Sequence, residues 1–394
     1  EFRRVLFRSD LVTIGIGGSD LGPRANYIAL QYLLKKGRKV HFISNVDPDD
    51  AARVIKKLDL KKTLVVVISK SGTTLETATN EALVRHWYQQ AGLNSKEYFL
   101  AVTCEGTPMD DKNKYLECFR LWEWIGGRFC TSSMAGGLLL SFAYGFDVYM
   151  EFLKGAHAMD LAARNRDLNK NLPLLGALLQ IWNHDFLDFS TTVIVPYSQA
   201  LLRYSAHVQQ VEMESNGKRI DQQGNPVDFQ TCPIIWGEPG TNAQHSFFQL
   251  LHQGTIIAPI EFIGYKHSQF GKDLDYEGTN SQEKLLSNLF AQSLALASGL
   301  RSDNPNKEFP GNRPSHILLA KQLTPYTVGA LLAYYEHIAA FQGFIWGINS
   351  FDQEGVQLGK ILAKKVLGCF MTKRGKGKET YPLGEAYLKH LDSL

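Results

Sequence analysis

Short apolar runs and longer amphipathic stretches take turns along this chain, the pattern of strands alternating with helices. Leu11 to Ile16 reads as a strand that runs into Gly15-Ile16-Gly17-Gly18-Ser19-Asp20-Leu21-Gly22, with a helix through about Lys36. His41 to Ser44 is a second strand, ahead of a helix near Asp49 to Leu58. The β-branched run Leu64 to Ile68 is a third, of the composition buried on both faces of a parallel sheet. Leu75, Ala78, Ala82 and Trp87 recur at helical spacing and predict the buried face of a helix ending near Gln90. Tyr98 to Thr103 is a further strand, helices follow from roughly Thr131 to Leu168, and Asn169 to Pro173 is a domain boundary.

The second half repeats the theme. A helix over Leu174 to Asp188 precedes a strand at Thr191 to Val195 and a helix from about Ser198 to Glu214. Strands near Cys232 to Trp236, Ile256 to Tyr265 and Ser315 to Lys321 alternate with helices Asn242 to Gln253 and Gln282 to Leu300. The polar stretches Lys266 to Ser281 and Arg301 to Pro314 read as exposed loops. The long apolar run after Pro325 carries Glu336, His337 and Gln342, so it predicts a buried helix rather than a membrane span. The implied class is α/β, with a parallel sheet in each half.

Composition narrows this further. With 44% hydrophobic residues there is enough apolar material for two buried cores. Five scattered cysteines (Cys104, Cys118, Cys130, Cys232, Cys369) never fall in C-x-x-C spacing, which fits a reducing cytoplasmic setting and gives no zinc signal. Residues 1–9, E-F-R-R-V-L-F-R-S, resemble the in-frame translation of a sequencing-adapter oligonucleotide and are read as non-native. They contribute +2 of the formal net charge of +3, so no case for nucleic-acid or membrane attraction remains.

Three places carry candidate chemistry. In Ser69-Lys70-Ser71-Gly72-Thr73-Thr74 four hydroxyls and a glycine meet a helix start, which suits one phosphate group; the plainer reading is an N-cap with solvated hydroxyls. In Gly126-Gly127-Arg128 paired glycines hold an arginine close to backbone at a strand end, where it is either a fixed cation or a surface salt bridge. Leu202, Ala206, Gln210 and Glu214 share one helical face, and Ser215-Asn216-Gly217 supplies stop signals. Glu214 is then either an ordinary carboxylate before a turn or one whose ionised form is disfavoured by the helix dipole and an apolar face, as a general base requires. The first glycine motif lacks the third glycine of G-x-G-x-x-G and has no G-K-[S/T], which weakens the dinucleotide and P-loop readings.

Taken in order, G-I-G-G-S-D-L-G-P from Gly15, S-K-S-G-T-T-L-E-T from Ser69, G-G-R-F from Gly126, M-E-S-N-G-K from Met213, G-T-N-A-Q-H from Gly240 and I-N-S-F-D-Q-E-G-V-Q-L-G-K from Ile348 resemble the glucose-6-phosphate isomerase family. The resemblance runs from Leu11 to about Lys365. It implies two sugar-isomerase domains, 10–168 and 174–335, each a parallel sheet flanked by helices. A C-terminal helical segment, 336–394, would contribute to the active site. By the same resemblance Glu214 moves a proton between C1 and C2 of the sugar through a cis-enediol, Arg128 stabilises the enediolate, and His245 and Lys360 assist ring opening. Ser69, Lys70, Ser71 and Thr74 bind the phosphate, and Gly18, Ser19, Gln210 and Gln353 line the sugar. The family implies no metal or cofactor, a sugar phosphate substrate, and a homodimer in which His245 is donated across subunits. Reading His245 into the first turn of its helix would favour neutral imidazole.

Three departures stand out. Gln357 replaces the usual Glu three residues before Lys360, Cys130-Thr131 replaces the commoner serine-containing sequence, and the family's N-terminal helices do not precede the first glycine motif. Such a chain, N-terminally truncated against the family, is expected to be less stable than a complete one. Two rival readings stand beside this one. A non-catalytic phosphosugar-binding regulatory module needs the Ser69 cradle but none of Glu214, His245 and Lys360, and a nucleotide-dependent dehydrogenase rests on Gly15 to Gly22 alone.

Overall fold

The computed structural model describes residues 8–394, and most of the adapter-like segment (1–7) lies outside them. Two compact units divide the chain, one up to Ser350 and one over Phe351–Leu394.

In the first unit, strands β1 (Asp10–Ile14), β2 (Lys39–Ile43), β3 (Thr63–Ile68), β4 (Phe99–Cys104) and β5 (Glu117–Leu121) form a sheet of order β2-β1-β3-β4-β5. Every pairing in it is parallel. Because side chains alternate across a strand, Leu64, Val66 and Ile68 enter one core while Val65 and Val67 enter another. The all-apolar run of β3 is thus explained by burial on both faces. Helices α1 (Leu21–Ala29), α2 (Pro48–Ile55), α3 (Leu75–Gln90), α4 (Met134–Tyr144) and α5 (Phe146–Ala163) accompany this sheet.

The face of α3 is not the one that apolar spacing predicts. Leu75 is 50% exposed and Ala78 and Ala82 are exposed, whereas Thr77, Asn80, Glu81, Val84 and Tyr88 are buried. Polar members of that face are tied down: Tyr115 OH donates to Glu81 Oε1 (2.7 Å), Arg85 pairs with the same carboxylate (2.7 Å), and Asn80 Nδ2 donates to Asn45 O (2.8 Å). Satisfied polar groups can occupy a core face, and hydrophobicity alone misplaces it.

After α6 (Leu172–Ile181), strand β6 (Thr191–Pro196) and helix α7 (Tyr204–Gln209) come β7 (Ile234–Trp236), α8 (Phe248–Gln253) and β8 (Ile260–His267). A two-residue hairpin, β9 (Asp275–Tyr276) and β10 (Thr279–Asn280), occupies the loop expected from Lys266 to Ser281. Helix α9 (Ser281–Ser298), strand β11 (Ser315–Gln322) and helix α10 (Pro325–Trp346) complete the unit. The second sheet, β11-β8-β6-β7, is also wholly parallel. Val193, Val195 and Phe262 pack with Phe248, Leu289 and Leu296 on one side. Ile194, Ile263 and Tyr265 join the core shared with the first sheet, α4, α5 and α10. One apolar layer therefore lies between the two sheets, and α10 runs through it.

Helix α10 starts at a capping box, with Thr324 and Thr327 exchanging side-chain and backbone bonds, and stops at Gly347 in the left-handed conformation. Its close approach to α5 depends on small residues: a Cβ on Gly155 would stand 1.8 Å from Tyr326 O, and one on Gly329 1.9 Å from Phe152 O. Among the described residues no helix is long and apolar enough to cross a membrane.

The second unit comprises a 3-10 turn (Glu354–Val356) and helices α11 (Gln357–Lys373) and α12 (Pro382–Leu391). They meet at small residues. A Cβ on Gly384 would be 3.3 Å from Cys369 Sγ and 3.4 Å from Val366 Cγ2, and an ion pair joins Lys373 to Asp392.

Candidate active site

The stretch Gln199 to Asn216 is not one regular helix. A 3-10 turn (Gln199–Leu201) leads into α7, and a π-helical turn, Gln210–Glu214, follows it. The buried face is Leu201, Tyr204, Val208, Val211 and Glu212, while Leu202 is 42% exposed. The face shared by Leu202, Ala206, Gln210 and Glu214 is therefore the open one. Inside the widened turn Gln210 Nε2 donates to Glu214 Oε2 at 3.0 Å. Neither Asn216 nor Gly217 takes the left-handed conformation expected of a helix stop. Lys218 does the capping, its Nζ donating to Glu214 O (3.0 Å) and Ser215 O (2.8 Å), a cation on the last carbonyls of a helix.

Arg128 does not sit at a strand end. Strand β5 finishes at Leu121, and the arginine lies in a 3-10 turn, Gly127–Ser132. The residue is 2% exposed, which removes the surface salt-bridge reading. Nε donates to Ser215 Oγ (2.6 Å), Nη2 donates to Ser350 O (2.5 Å), and Nη1 lies 3.4 Å from Glu214 Oε2. A buried guanidinium is thus fixed from two sides with one nitrogen aimed at a carboxylate that remains 25% exposed. The first glycine motif supplies the floor. A Cβ on Gly18 would be 2.1 Å from the Gly127 carbonyl carbon and 2.6 Å from Arg128 N, so only glycine lets the two backbones meet. Cys130, one of the departures, fits beneath: its Sγ donates to Gly18 O at 3.4 Å, and burial pushes the thiol up to about 12, out of reach of thiolate chemistry. Ser19 closes the short turn Gly17–Ser19 on the same loop.

The Ser69 segment connects β3 to α3. Ser69 is buried, while Lys70 and Ser71 are exposed. Thr74 holds the N-cap position but makes no side-chain cap bond; its Oγ1 pairs with Ser69 Oγ at 3.0 Å. Ser71 Oγ accepts from Thr73 N at 3.2 Å. The hydroxyls of Ser69 and Thr74 are thereby gathered at the start of a 16-residue helix, and the solvated N-cap reading does not describe Thr74.

His245 departs from its expected place. It ends a 3-10 turn, Asn242–His245, and α8 begins only at Phe248, so the imidazole is not in the first turn of that helix and the dipole argument for a neutral ring falls away. It is exposed and takes no part in the Arg128–Gln210–Glu214 contacts. Gln353 and Lys360 belong to the second unit: Gln353 precedes its 3-10 turn, and Lys360 is exposed on the first turn of α11, three residues after Gln357.

The carboxyl group that burial disturbs most clearly on this turn is Glu212. It is 0% exposed and accepts from Gln180 Nε2 at 3.4 Å; burial, with the Glu261 carboxylate nearby, pushes it up to about 8. Residues 208, 211, 212, 215 and 216 are spaced as one helical face, the signal in the sequence that would have placed Glu212 inside. Its linkage has a definite sign. Between the ordinary value of 4.5 and about 8 the folded chain keeps a proton that the unfolded chain releases, so stability falls as pH rises through that window. Glu212→Gln should flatten this slope, which is at most about 1.4 kcal/mol per pH unit. Urea unfolding at several pH values between 5 and 8 checks it; a slope unchanged by the substitution would contradict the assignment.

A sequence profile described as phosphoglucose isomerase matches residues 7–378. A glucose-6-phosphate isomerase of Protochlamydia amoebophila (strain UWE25) is 65% identical over 386 residues, covering 98% of this chain and 72% of that protein. The crystal structure of a glucose-6-phosphate isomerase from Chlamydia trachomatis superposes with a TM-score of 0.95 at 52% identity, covering 100% of this chain and 74% of the other. A tagatose-6-phosphate ketose/aldose isomerase from Escherichia coli shares the fold at a TM-score of 0.53 and 11% identity, over 89% of this chain and 86% of its own.

Proposed function

This chain belongs to the phosphoglucose isomerase family, and on that premise we propose that it interconverts glucose 6-phosphate and fructose 6-phosphate by proton transfer through a cis-enediol. The observation that carries the reading is the partly open Glu214 carboxylate set 3.4 Å from the buried guanidinium of Arg128. Isomerisation of an open-chain sugar needs a base that takes the proton from C2 and returns it to C1, and one carboxylate on one face of the enediol can serve both carbons. Charge builds on the oxygens of C1 and C2 as the C–H bond breaks. A fixed cation that cannot itself lose a proton stabilises that charge. Arg128 is such a cation, held before the substrate arrives by Ser215 and Ser350. Gln210, on the carboxylate, and Gly18 and Ser19, on the adjoining loop, line the sugar, and the family resemblance gives Gln353 the same role. His245 and Lys360 pass the proton between O1 and the ring oxygen O5 on ring opening. Ser69, Lys70, Ser71 and Thr74 receive the phosphate.

The two sheets lie in the two sugar-isomerase domains, 10–168 and 174–335; the helical extension, 336–394, then takes in the last part of α10 as well as the second unit, and the protein works in the cytoplasm. A coupled assay converting fructose 6-phosphate to glucose 6-phosphate tests the activity; no turnover by the pure protein would overturn the reading. The regulatory-module rival uses the Ser69 cradle alone and leaves the Arg128–Glu214 pair without a purpose.

Phosphate binding is uniform across the reaction because the phosphate does not react, so cradle variants should change KM and spare kcat. Losing a hydrogen bond to a charged group costs about 1.5–3 kcal/mol, so Ser69→Ala with Thr74→Val should raise KM roughly ten-fold or more. Steady-state kinetics on both sugar phosphates measures this, and an unchanged KM would remove the cradle from phosphate binding.

The protein is a homodimer in which His245 serves the neighbouring subunit. Mixing inactive Glu214→Gln and His245→Ala chains then regenerates one intact site in each mixed dimer, and random exchange restores about a quarter of wild-type activity. No recovery, with mixed dimers demonstrated by mass, would show that each subunit uses its own histidine.

A further inference from the structure

Gly343 lies near the end of α10, and its backbone is not left-handed, so conformational freedom is not what the position requires. A glycine inside a helix is disfavoured against alanine by about 1 kcal/mol, so the position calls for a steric reason. A Cβ on Gly343 would stand 1.9 Å from Ser350 Oγ, 3.1 Å from Ser350 Cβ and 3.5 Å from Asn216 Oδ1. The missing side chain is a notch, and Ser350 fills it.

The path to that notch is short. Gly347 ends the helix, Ile348 N donates back to Gly343 O (3.0 Å), and the chain reverses to bury Ser350. There Ser350 Oγ donates to Asn216 Oδ1 (2.6 Å), while Asn216 Nδ2 donates to Ala339 O (2.9 Å) and Gln342 Oε1 (3.0 Å). Gln342 Nε2 donates in turn to Gln180 Oε1 (2.7 Å). The other polar end of Ser350, its carbonyl oxygen, accepts from Arg128 Nη2 at 2.5 Å. The residue that fills the notch is thus the residue that holds the guanidinium.

We propose that Gly343 and Ser350 are positioning residues for the isomerisation: the notch fixes the Ser350 hydroxyl on Asn216, and this sets where the Ser350 carbonyl holds Arg128 against Glu214. The proposal rests on the reading of Glu214 and Arg128 as base and cation. Neither positioning residue touches substrate; both act through the guanidinium. A displacement of about 1 Å in a catalytic group can cost roughly a hundred-fold in rate, whereas the notch lies outside the sugar and phosphate contacts and should leave affinity alone.

The test uses the full chain in four forms: wild type, Gly343→Ala, Ser350→Ala and the double variant. Each is assayed for kcat and KM on fructose 6-phosphate and for melting temperature. The Nε–H resonance of Arg128 is also recorded, assigned by its absence in Arg128→Lys. Gly343→Ala should lower kcat by roughly 10- to 100-fold with KM within about three-fold, and should shift the Arg128 resonance. The double variant should return to the kcat and resonance of Ser350→Ala, because the hydroxyl that a Cβ would meet at 1.9 Å is gone. Losses that multiply in the double variant overturn the proposal. So does a kcat per folded molecule unchanged in Gly343→Ala. If the wild type does not turn over fructose 6-phosphate, the isomerase reading fails separately, and an unmoved Arg128 resonance in Gly343→Ala still overturns the positioning role.

Discussion

Glu214→Gln should lower kcat by roughly a thousand-fold, within the range for removing a general base, with KM changed by no more than a few-fold. The amide has the size and shape of the carboxylate and can keep the contact with Gln210, whose Nε2 lies 3.0 Å from Glu214 Oε2. What it cannot do is take a proton from C2. The partner set makes the substitution a clean one: Arg128 retains Ser215 Oγ and Ser350 O as acceptors, so losing the negative charge does not leave the guanidinium unbonded. The melting temperature should therefore stay close to that of the wild type while the rate collapses. Coupled kinetics and a thermal melt on the same preparation check both halves. Activity within a factor of ten of the wild type would remove Glu214 from the base role.

Arg128→Lys should cost about a hundred-fold or more in kcat although the charge is kept, as removing one preorganised oxyanion donor does elsewhere. Three nitrogens of the guanidinium are in use at once: Nε on Ser215, Nη2 on Ser350, and Nη1 beside Glu214. An ammonium on a flexible stem cannot occupy those three places, so the cation that meets the enediolate is no longer fixed. Two buried acceptors also lose their donors, at about 1–3 kcal/mol each, so this variant should melt lower than wild type, unlike Glu214→Gln. Kinetics and calorimetry separate the effects. Wild-type kcat with a lowered melting temperature would make Arg128 a structural residue only.

Much of this is legible in the amino-acid sequence. Strands such as Thr63–Ile68 announce themselves because β-branched residues pack on both faces of a parallel sheet. Spacing placed Glu214 on the same face as Gln210, and their contact follows from it. Three things are not fully legible, each for a physical reason. The π-turn Gln210–Glu214 is a shift in hydrogen-bond partner with no residue signature of its own, and it decides which face of the segment is open. The burial of Glu212 is legible only in part: its spacing with Val208 and Val211 places it inside, but the Gln180 and Glu261 groups that meet it there come from elsewhere in the chain. The anchors of Arg128 lie 87 and 222 residues away in sequence, beyond the reach of any local pattern. Gly343 is an instance of the same limit. In sequence it is one more helix glycine, and its meaning depends on where Ser350 returns.

Proton transfer through an enediol makes one observation decisive. Fructose 6-phosphate is incubated with the wild-type chain in D2O to equilibrium, and the glucose 6-phosphate formed is examined by NMR at C2. A carboxylate that holds the migrating proton exchanges it with solvent during its lifetime, so deuterium should appear at C2, and Glu214→Gln should show neither the isotope nor the product on the same timescale. Conversion at the full rate with only protium at C2 would mean direct hydride migration between the carbons, and would contradict the account.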